Sequence, residues 1–552
     1  MSNRDRMTRF TRRRFLGGVG ALGLAGLARL APADEGHGGA RAAAKAALEI
    51  EQAAADFLNP LRLPGASGLW GVLKATEVRE IRVRRTELAV LPGLASPFWA
   101  YAVESGAKRF LNPTLVARRG DEVRVRMANE LDQPTIIHWH GLANDDRNDG
   151  TGIYVAAPSE TYDYGFTVRD RASMYWYHPH PLHITAPQTY RGLAGLFFVA
   201  DDDEEALRRA LGLELGVTEI PLVLQDKSFD HEGRLEYDVP REAMFHGFFG
   251  EEILVNLTAR PAFTAARRIY RFRLLNGSNA RNYRLAFLQG GRRLGFYLIG
   301  TDGGLLDAPK RVDQAFLTPA QRLDVLLDLR EAREGRPVVL ATLGFDPMHN
   351  EGAMETGVPK AAAASGGGHE GHAGGAMDGE GKPILRIDVE PTSGYAKKIP
   401  AKLSRLPAPP PAGGKPRRIV LAHDGKGNWT INGWQFEMNA TPLTVRRGAR
   451  ETWLIENSRA SMPHPMHIHG FQFRVLERRG TPAQVRALGA DRNGLLPQDR
   501  GLLDTVLAWP GESVRIALDF THPFPGDQTY MFHCHNLEHE DLGMMIQYGV
   551  KA

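Results

Sequence analysis

The feature that most constrains this chain is where its histidines fall. Ten of the 19 lie in four clusters, 138/140, 178/180, 464/467/469 and 533/535/539, and the single cysteine, Cys534, stands between His533 and His535. Side chains alternate across a β-strand, so residues two apart share a face and neighbours oppose. His533 and His535 must then point one way and Cys534 the other, which places one strand between two metal sites. In the third cluster His467 and His469 share a face, while His464 has the opposite parity. One site thus gains His464, Cys534 and, a turn later, His539. The other collects His138, His140, His178, His180, His467, His469, His533 and His535. Strands from the two ends of the chain have to meet.

The donor chemistry narrows the metal. Two histidines and a cysteine with a weak axial thioether form a blue-copper electron-transfer arrangement. Met544, just past His539, is the natural axial ligand, with Met545 as the alternative, although methionine also fills cores readily. Eight imidazoles are too many for one metal and suit three coppers.

The segments around these clusters repeat. Arg118-Arg119-Gly120, a strand, Asn129 and His138-Trp139-His140-Gly141 are echoed by Arg446-Arg447-Gly448, a strand, Asn457 and His467-Ile468-His469-Gly470. A middle copy is fainter, with residues 271–276 followed by 319–329 and no histidine pair. Residues 120–129 alternate Val123, Val125 and Met127 against Arg124 and Arg126, the pattern of a half-buried strand. Similar runs at 269–275, 323–329, 452–456 and 514–520 predict an all-β chain of sandwiches or barrels.

Composition excludes other classes. The 552 residues are too many for one core and suggest about three or four domains, and 43% hydrophobic with 24% charged residues is ordinary for a globular protein. The net charge of +4 is local: residues 1–33 hold seven arginines against Asp5, leaving about −2 for the remainder, so a basic nucleic-acid binder is not expected. Thr11-Arg12-Arg13-Arg14-Phe15-Leu16 resembles a twin-arginine export signal. It is followed by a Gly-rich apolar run too short to span a bilayer and by Ala31-Pro32-Ala33, an A-x-A cleavage site. A periplasmic or otherwise extracytoplasmic protein without a membrane anchor is expected. A lone cysteine permits no intramolecular disulfide there. Residues 348–382 form a Gly- and Ala-rich insertion in which Met348, His349, Met354, His369, His372 and Met377 are candidate copper-binding groups, and a solvated insertion is the plainer alternative.

The blocks HWHG (138–141), WYHPH (176–180), HPMHIHG (464–470) and HCHNLEHEDLGMM (533–545) resemble the four copper motifs of the multicopper oxidases, the family of laccases and bacterial cuprous oxidases. The likeness runs from about residue 70 to the end. It implies three cupredoxin-like Greek-key β-sandwich domains, at 70–210, 211–400 (with the insertion) and 401–552, after a signal peptide at 1–33 and a linker or short helix at 34–69. It implies four copper ions. Type 1 copper takes His464, Cys534, His539 and Met544. Type 2 copper takes His138 and His467. The type 3 pair is shared by His140, His178 and His535 on one ion and His180, His469 and His533 on the other. The resemblance further implies single-electron oxidation of a substrate, coupled to reduction of O2 to water, with Asp149 and Glu540 as acids on the proton path. Asp504 reads as a structural hydrogen bonder, and His183 has no assigned role.

The reductant that the resemblance implies is a small molecule, a phenol or aromatic amine, or Cu(I). Met462 lies where cuprous oxidases of the family carry a substrate methionine, but Ala460 stands where they place an acid. A laccase-like enzyme that also oxidises Cu(I), acting as a monomer, is the expectation. A copper-buffering protein would not need Cys534 bracketed by histidines. A structural protein derived from the oxidase fold would not need all twelve ligand positions filled.

Overall fold

The computed structural model describes residues 37–348, 378–391, 394–411 and 414–552. The twin-arginine segment 1–33 and His349, Met354, His369, His372 and Met377 lie outside the described residues. A helix spans His37–Ala53. Beyond its midpoint Ala47 and Ile50, with Ala54 and Phe57, cover Ala286, Leu288, Val339 and Ala341. Among the described residues no helix is long and apolar enough to cross a membrane.

Short alternating strands build six sheets among the described residues, and these pair into three sandwiches, the cupredoxin-like all-β architecture. Strand Glu122–Asn129 shows the cause: Val123, Val125 and Met127 are buried while Glu122, Arg124 and Arg126 face solvent. Its apolar face packs into a core with Ile81, Trp139 and Phe197 of the first sandwich. Each sandwich then clamps the loop that follows this strand with the same asparagine. The Nδ2 of Asn129 donates to Ala156 O at 3.0 Å, that of Asn276 to Leu317 O at 3.0 Å and that of Asn457 to Ala508 O at 2.9 Å. The faint middle copy is therefore a full structural repeat.

The second sheet of each sandwich has one strand order. In the first it runs Ile137–His140, Ser173–Pro179, Gly195–Ala200, Thr114–Arg118. In the last it runs His464–Ile468, Gln528–Cys534, Met545–Lys551, Leu443–Arg446. The middle one runs Tyr283–Gln289, Val338–Thr342, Lys382–Glu390, Pro261–Ala266. The insertion thus occupies, in the middle repeat, the connection that carries His535 through Met544 in the last.

One expectation fails. The runs at 269–275 and 323–329 read as half-buried, yet all of strand Ile269–Asn276 is buried, and so is its partner Arg322–Asp328 apart from Asp328. The reason is the helix Asp202–Leu211, whose Glu204 is buried with the strand's arginines. Arg271 Nη1 lies 2.6 Å from Glu204 Oε1 and its Nε donates to Asp324 Oδ1 at 2.8 Å. Arg273 Nη1 reaches Glu204 at 3.0 Å and Glu219 at 2.9 Å. Burial alone would raise the carboxyls of Glu204 and Glu219, but Arg271 and Arg273 outweigh it and hold both below the ordinary glutamate range. Carboxyls depressed in the folded state stabilise it above the unfolded value of about 4.3, and that stabilisation drains away as pH falls toward the folded values. Arg271→Met, which strands buried carboxylates, is expected to cost about 3–5 kcal/mol at neutral pH. Chemical denaturation should show that gap, and the gap should narrow on acidification as the variant's stranded carboxylates take up protons in the folded state.

Candidate metal centres

Strand register brings the histidines together. His178 is the cross-strand partner of His138, and Trp176 of His140. In the last sandwich His467 sits opposite His533 and Met466 opposite Cys534, so His467 and His533 share a face and the thiol projects from the other. Met545 is opposite His533, which places it on the histidine side. Met544 instead bonds across to the cysteine's backbone, with Cys534 N donating to Met544 O at 3.0 Å, and it is fully buried. Register favours Met544 over Met545 as the thioether beside the thiol.

Eight imidazoles close the junction between the first and last sandwiches. His138 stacks on His469 with centroids 4.0 Å apart, and His140 on His467 at 3.8 Å. Three-donor groups capable of holding an ion include His138, His140 and His178, and also His180, His469 and His533. His469 Nε2 is 3.0 Å from His533 Nε2, and His180 Nε2 is 3.4 Å from the same atom. Three rings of the cluster are tied outward through Nδ1. His138 Nδ1 bonds Asp149 O at 2.7 Å, His467 Nδ1 bonds Asp504 O at 2.9 Å and His178 Nδ1 bonds Pro179 O at 2.9 Å. The inward Nε2 atoms of His138 and His467 and both ring nitrogens of His535 are buried without a hydrogen-bond partner. Burial holds His138, His140, His178, His467, His469 and His535 well below the usual histidine range, leaving neutral rings with lone pairs to give.

Two carboxylates border this cluster. Asp149 ends the short helix Asp146–Asp149, whose first turn is capped by the Asp145 side chain. Its carbonyl holds His138, and its Oδ2 accepts from His469 Nδ1 at 2.7 Å, so it orients one ring from each sandwich. The next residue must be glycine: Gly150 has φ +81°, and a Cβ there would lie 1.8 Å from Ile137 O. Burial pushes the Asp149 carboxyl up, helped by Asp146 and Asp145. Glu540 Oε2 is 3.1 Å from His533 Nδ1 and its Oε1 is 3.5 Å from His180 Nε2. There burial is opposed by His180 and His533, which hold the carboxyl down at about 2. Asp504 also meets the cluster, with Oδ1 3.2 Å from His140 Nε2, a contact that accords with a structural hydrogen bonder. His183 bonds Asp541 O through Nδ1 at 2.9 Å, outside the cluster.

On the other face of the Cys534 strand, the Sγ lies 3.5 Å from Nδ1 of both His464 and His539. The outer nitrogens are capped by neutral groups. His464 Nε2 meets Ser461 Oγ at 3.1 Å, beside the position where Ala460 lacks an acid. His539 Nε2 meets Phe245 O at 3.0 Å and Asn536 Nδ2 at 3.2 Å. Phe245, from the middle repeat, stacks on Trp429 at 4.4 Å, and Trp429 sets its edge to His464 at 4.8 Å. Burial pushes the Cys534 thiol up and His539 down to about 3, so a bound metal has to displace the thiol proton. Met462 and Met348 pack into the same apolar cluster as Cys534 and Met544. Sequence reasoning missed Ser461, Phe245 and Trp429, because capping a ring nitrogen leaves no motif.

The geometry agrees with what the chain is similar to. Two multicopper oxidase family profiles match it, at residues 94–204 and 409–552, the segments that hold the histidines. The multicopper oxidase mco of Staphylococcus aureus is 31% identical over 445 residues, covering 80% of this chain and 82% of that protein. Cell division protein FtsP of Photorhabdus laumondii is 30% identical, covering 80% and 83%. The crystal structure of McoA multicopper oxidase from Aquifex aeolicus superposes with a TM-score of 0.78 at 36% identity, covering 90% of this chain and 99% of that one. An oxidase built on cupredoxin-like sandwiches, with buried imidazoles and one thiolate donor where copper would sit, this chain belongs to the multicopper oxidase family.

Proposed function

We propose that the protein holds four coppers and couples one-electron oxidation of a small reductant to the reduction of O2 to water. The observation that carries this is the Gln528–Cys534 strand, which sends His533 to one donor cluster and Cys534 to another. The type 1 ion is assigned to His464, Cys534, His539 and Met544, and the type 2 ion to His138 and His467. His140, His178 and His535 hold one type 3 ion, and His180, His469 and His533 the other. The donors suit copper: soft thiolate and thioether on one side, and on the other neutral imidazoles with buried, unpartnered nitrogens. When bound, the coppers supply the one-electron acceptor and the site of O2 reduction. The peptide bonds from Cys534 to His533 and His535 give a short covalent route between the two centres. Asp149 fixes the rings of His138 and His469, and Glu540, against His180 and His533, is placed to pass protons inward.

For the reductant, we propose phenols or aromatic amines together with Cu(I). The thioethers of Met462 and Met348, packed with the core that holds the thiol, support a Cu(I) route, while the neutral caps on His464 and His539 offer no carboxylate to a cation. Residues 1–33 are proposed as an export signal, and 70–210, 211–400 and 401–552 as the domain spans. The FtsP relative favours a second reading, a structural protein without chemistry. The intact donor set at both clusters stands against it.

Copper-loaded protein should be intensely blue, and Cys534→Ser should lose that colour and one copper per chain. An uncoloured, fully loaded wild type would leave the copper-buffering and structural readings. Asp149→Asn and Glu540→Gln should each slow O2 reduction by about 10²-fold or more with the colour retained, as removal of a proton-transfer group does. Dioxygen uptake with Cu(I) and with a methoxyphenol, compared in a variant lacking residues 349–377, separates the substrates. Cu(I) turnover lost alone in the deletion assigns the insertion to cuprous oxidation, and negligible Cu(I) turnover in both chains makes the enzyme a laccase.

A further inference from the structure

The middle sandwich gives no histidine to either cluster, yet one of its side chains reaches the larger one. Arg322 opens strand Arg322–Asp328 and is 2% exposed. Its guanidinium forks onto Asp504, Nη1 to Oδ1 at 2.9 Å and Nη2 to Oδ2 at 2.5 Å. It also donates to Met174 O at 3.2 Å, in the first sandwich, and to Ala320 O at 3.0 Å. Asp302 closes the unit, accepting from the backbone N of Arg322 at 2.8 Å and of Asp504 at 3.1 Å. Three sandwiches therefore meet at one buried arginine.

What Arg322 holds is a carboxylate that governs two stacked rings. Asp504 Oδ1 faces His140 Nε2 at 3.2 Å, and its carbonyl O faces His467 Nδ1 at 2.9 Å. His140 then donates from Nε2 and keeps the Nδ1 lone pair, whereas His467 donates from Nδ1 and keeps that of Nε2. Without the guanidinium Asp504 has another use, because His140, His467 and Asp504 lie close enough to form a three-donor group of their own. The fork engages both carboxylate oxygens and leaves Asp504 an acceptor rather than a ligand. The pair also sits hard against the backbone after His140: a Cβ on Gly141 would lie 2.6 Å from Asp504 Oδ2 and 2.8 Å from Arg322 Nη2.

We propose that Arg322 is a positioning residue, lent by the middle sandwich, that holds Asp504 so that His140 and His467 present their lone pairs to the trinuclear copper site. This rests on the four-copper reading above. Loss of the fork loosens both rings and lets Asp504 compete for the metal, so it weakens copper at the histidine cluster and leaves the Cys534 centre alone. A lysine retains charge without the planar fork and restores only part of the effect.

The test is copper titration of the apoprotein, followed by the blue absorption of the Cys534 centre and by the electron paramagnetic resonance signal of type 2 copper. Arg322→Met should bind the three cluster coppers at least 10-fold more weakly, with a lost or altered type 2 signal and an unchanged blue band. Arg322→Lys should fall between it and wild type. Arg478→Met breaks a comparably buried arginine, paired with Asp499 at 2.7 Å and Glu512 at 3.0 Å away from the cluster. It should lower the unfolding temperature and leave copper binding as it was. Wild-type copper affinity and signal in both Arg322 variants would overturn the proposal, as would an equal loss of cluster copper in Arg478→Met. Should Arg322→Met not fold, the Arg322→Lys titration decides alone. A wild type that never shows a blue band or a type 2 signal would instead refute the four-copper reading, and this proposal with it.

Discussion

Neighbouring side chains on a β-strand cannot share a face, and that one rule sets the terms for the rest of the molecule. Because Cys534 and His533 are adjacent on strand Gln528–Cys534, thiol chemistry and imidazole chemistry are held on opposite sides of one backbone. The thiol side can be closed by the last sandwich's own core, where Cys534, Met466, Met462 and Met544 pack with Trp453 and Phe532. The imidazole side cannot, since one sheet edge offers too few donors. It is closed by strands Ile137–His140 and Ser173–Pro179 of the first sandwich, at the other end of the chain. Burying so many rings costs desolvation unless every nitrogen finds a partner. Backbone carbonyls of Asp149, Pro179, Asp504 and Cys534 take one nitrogen each from His138, His178, His467 and His533. The opposite nitrogens of those rings point inward by default, which is the arrangement a metal cluster needs before any metal arrives.

The middle sandwich is more than a spacer. Phe245 caps His539 and stacks on Trp429, Met348 packs against the last core, and Arg322 reaches Asp504. Its buried strand Ile269–Asn276 turns Tyr270, Phe272 and Leu274 into the core, and on the outer face, beneath the helix Asp202–Leu211, it holds Arg271 and Arg273 against Glu204, Glu219 and Asp324. Removing one partner from such a network leaves a buried charge uncompensated, so its members have to be kept together.

Much of this was legible in the residues and some was not, for identifiable reasons. Strand parity alone separated His464 and Cys534 from the eight cluster histidines, because parity is a property of consecutive residues. The alternation of Val123, Val125 and Met127 was read correctly for the same reason. The strand Ile269–Asn276 misled because its charged residues are covered by a helix some 60 positions earlier, and alternation cannot tell a solvated face from one covered by matching charge. Arg322 and Asp504 carried no mutual signal, being 182 residues apart. Ser461 was invisible behind the missing acid at Ala460, since a hydroxyl one position later can bond the same ring nitrogen.

The three repeats also use one connection in three ways, which accounts for His183. In the last sandwich the connection after Gln528–Cys534 carries His535, His539, Glu540 and Asp541. In the first, the matching connection leaves Ser173–Pro179, passes His180 and His183 and enters the helix Thr185–Tyr190. These two connections lock together: Asp541 Oδ1 accepts from Thr185 N at 2.8 Å, its Oδ2 accepts from Ala186 N at 2.9 Å, and His183 Nδ1 bonds its carbonyl at 2.9 Å. Glu540 is the residue before Asp541, so the contact that docks the first sandwich onto the last also sets the Glu540 carboxylate between His180 and His533. His183 takes φ +65°, an uncommon backbone state for a histidine, and the paired hydrogen bonds to Asp541 are what hold that turn in place. The segment Pro181-Leu182-His183 is therefore a docking element outside the metal cluster, and it brings the cluster's two halves into register.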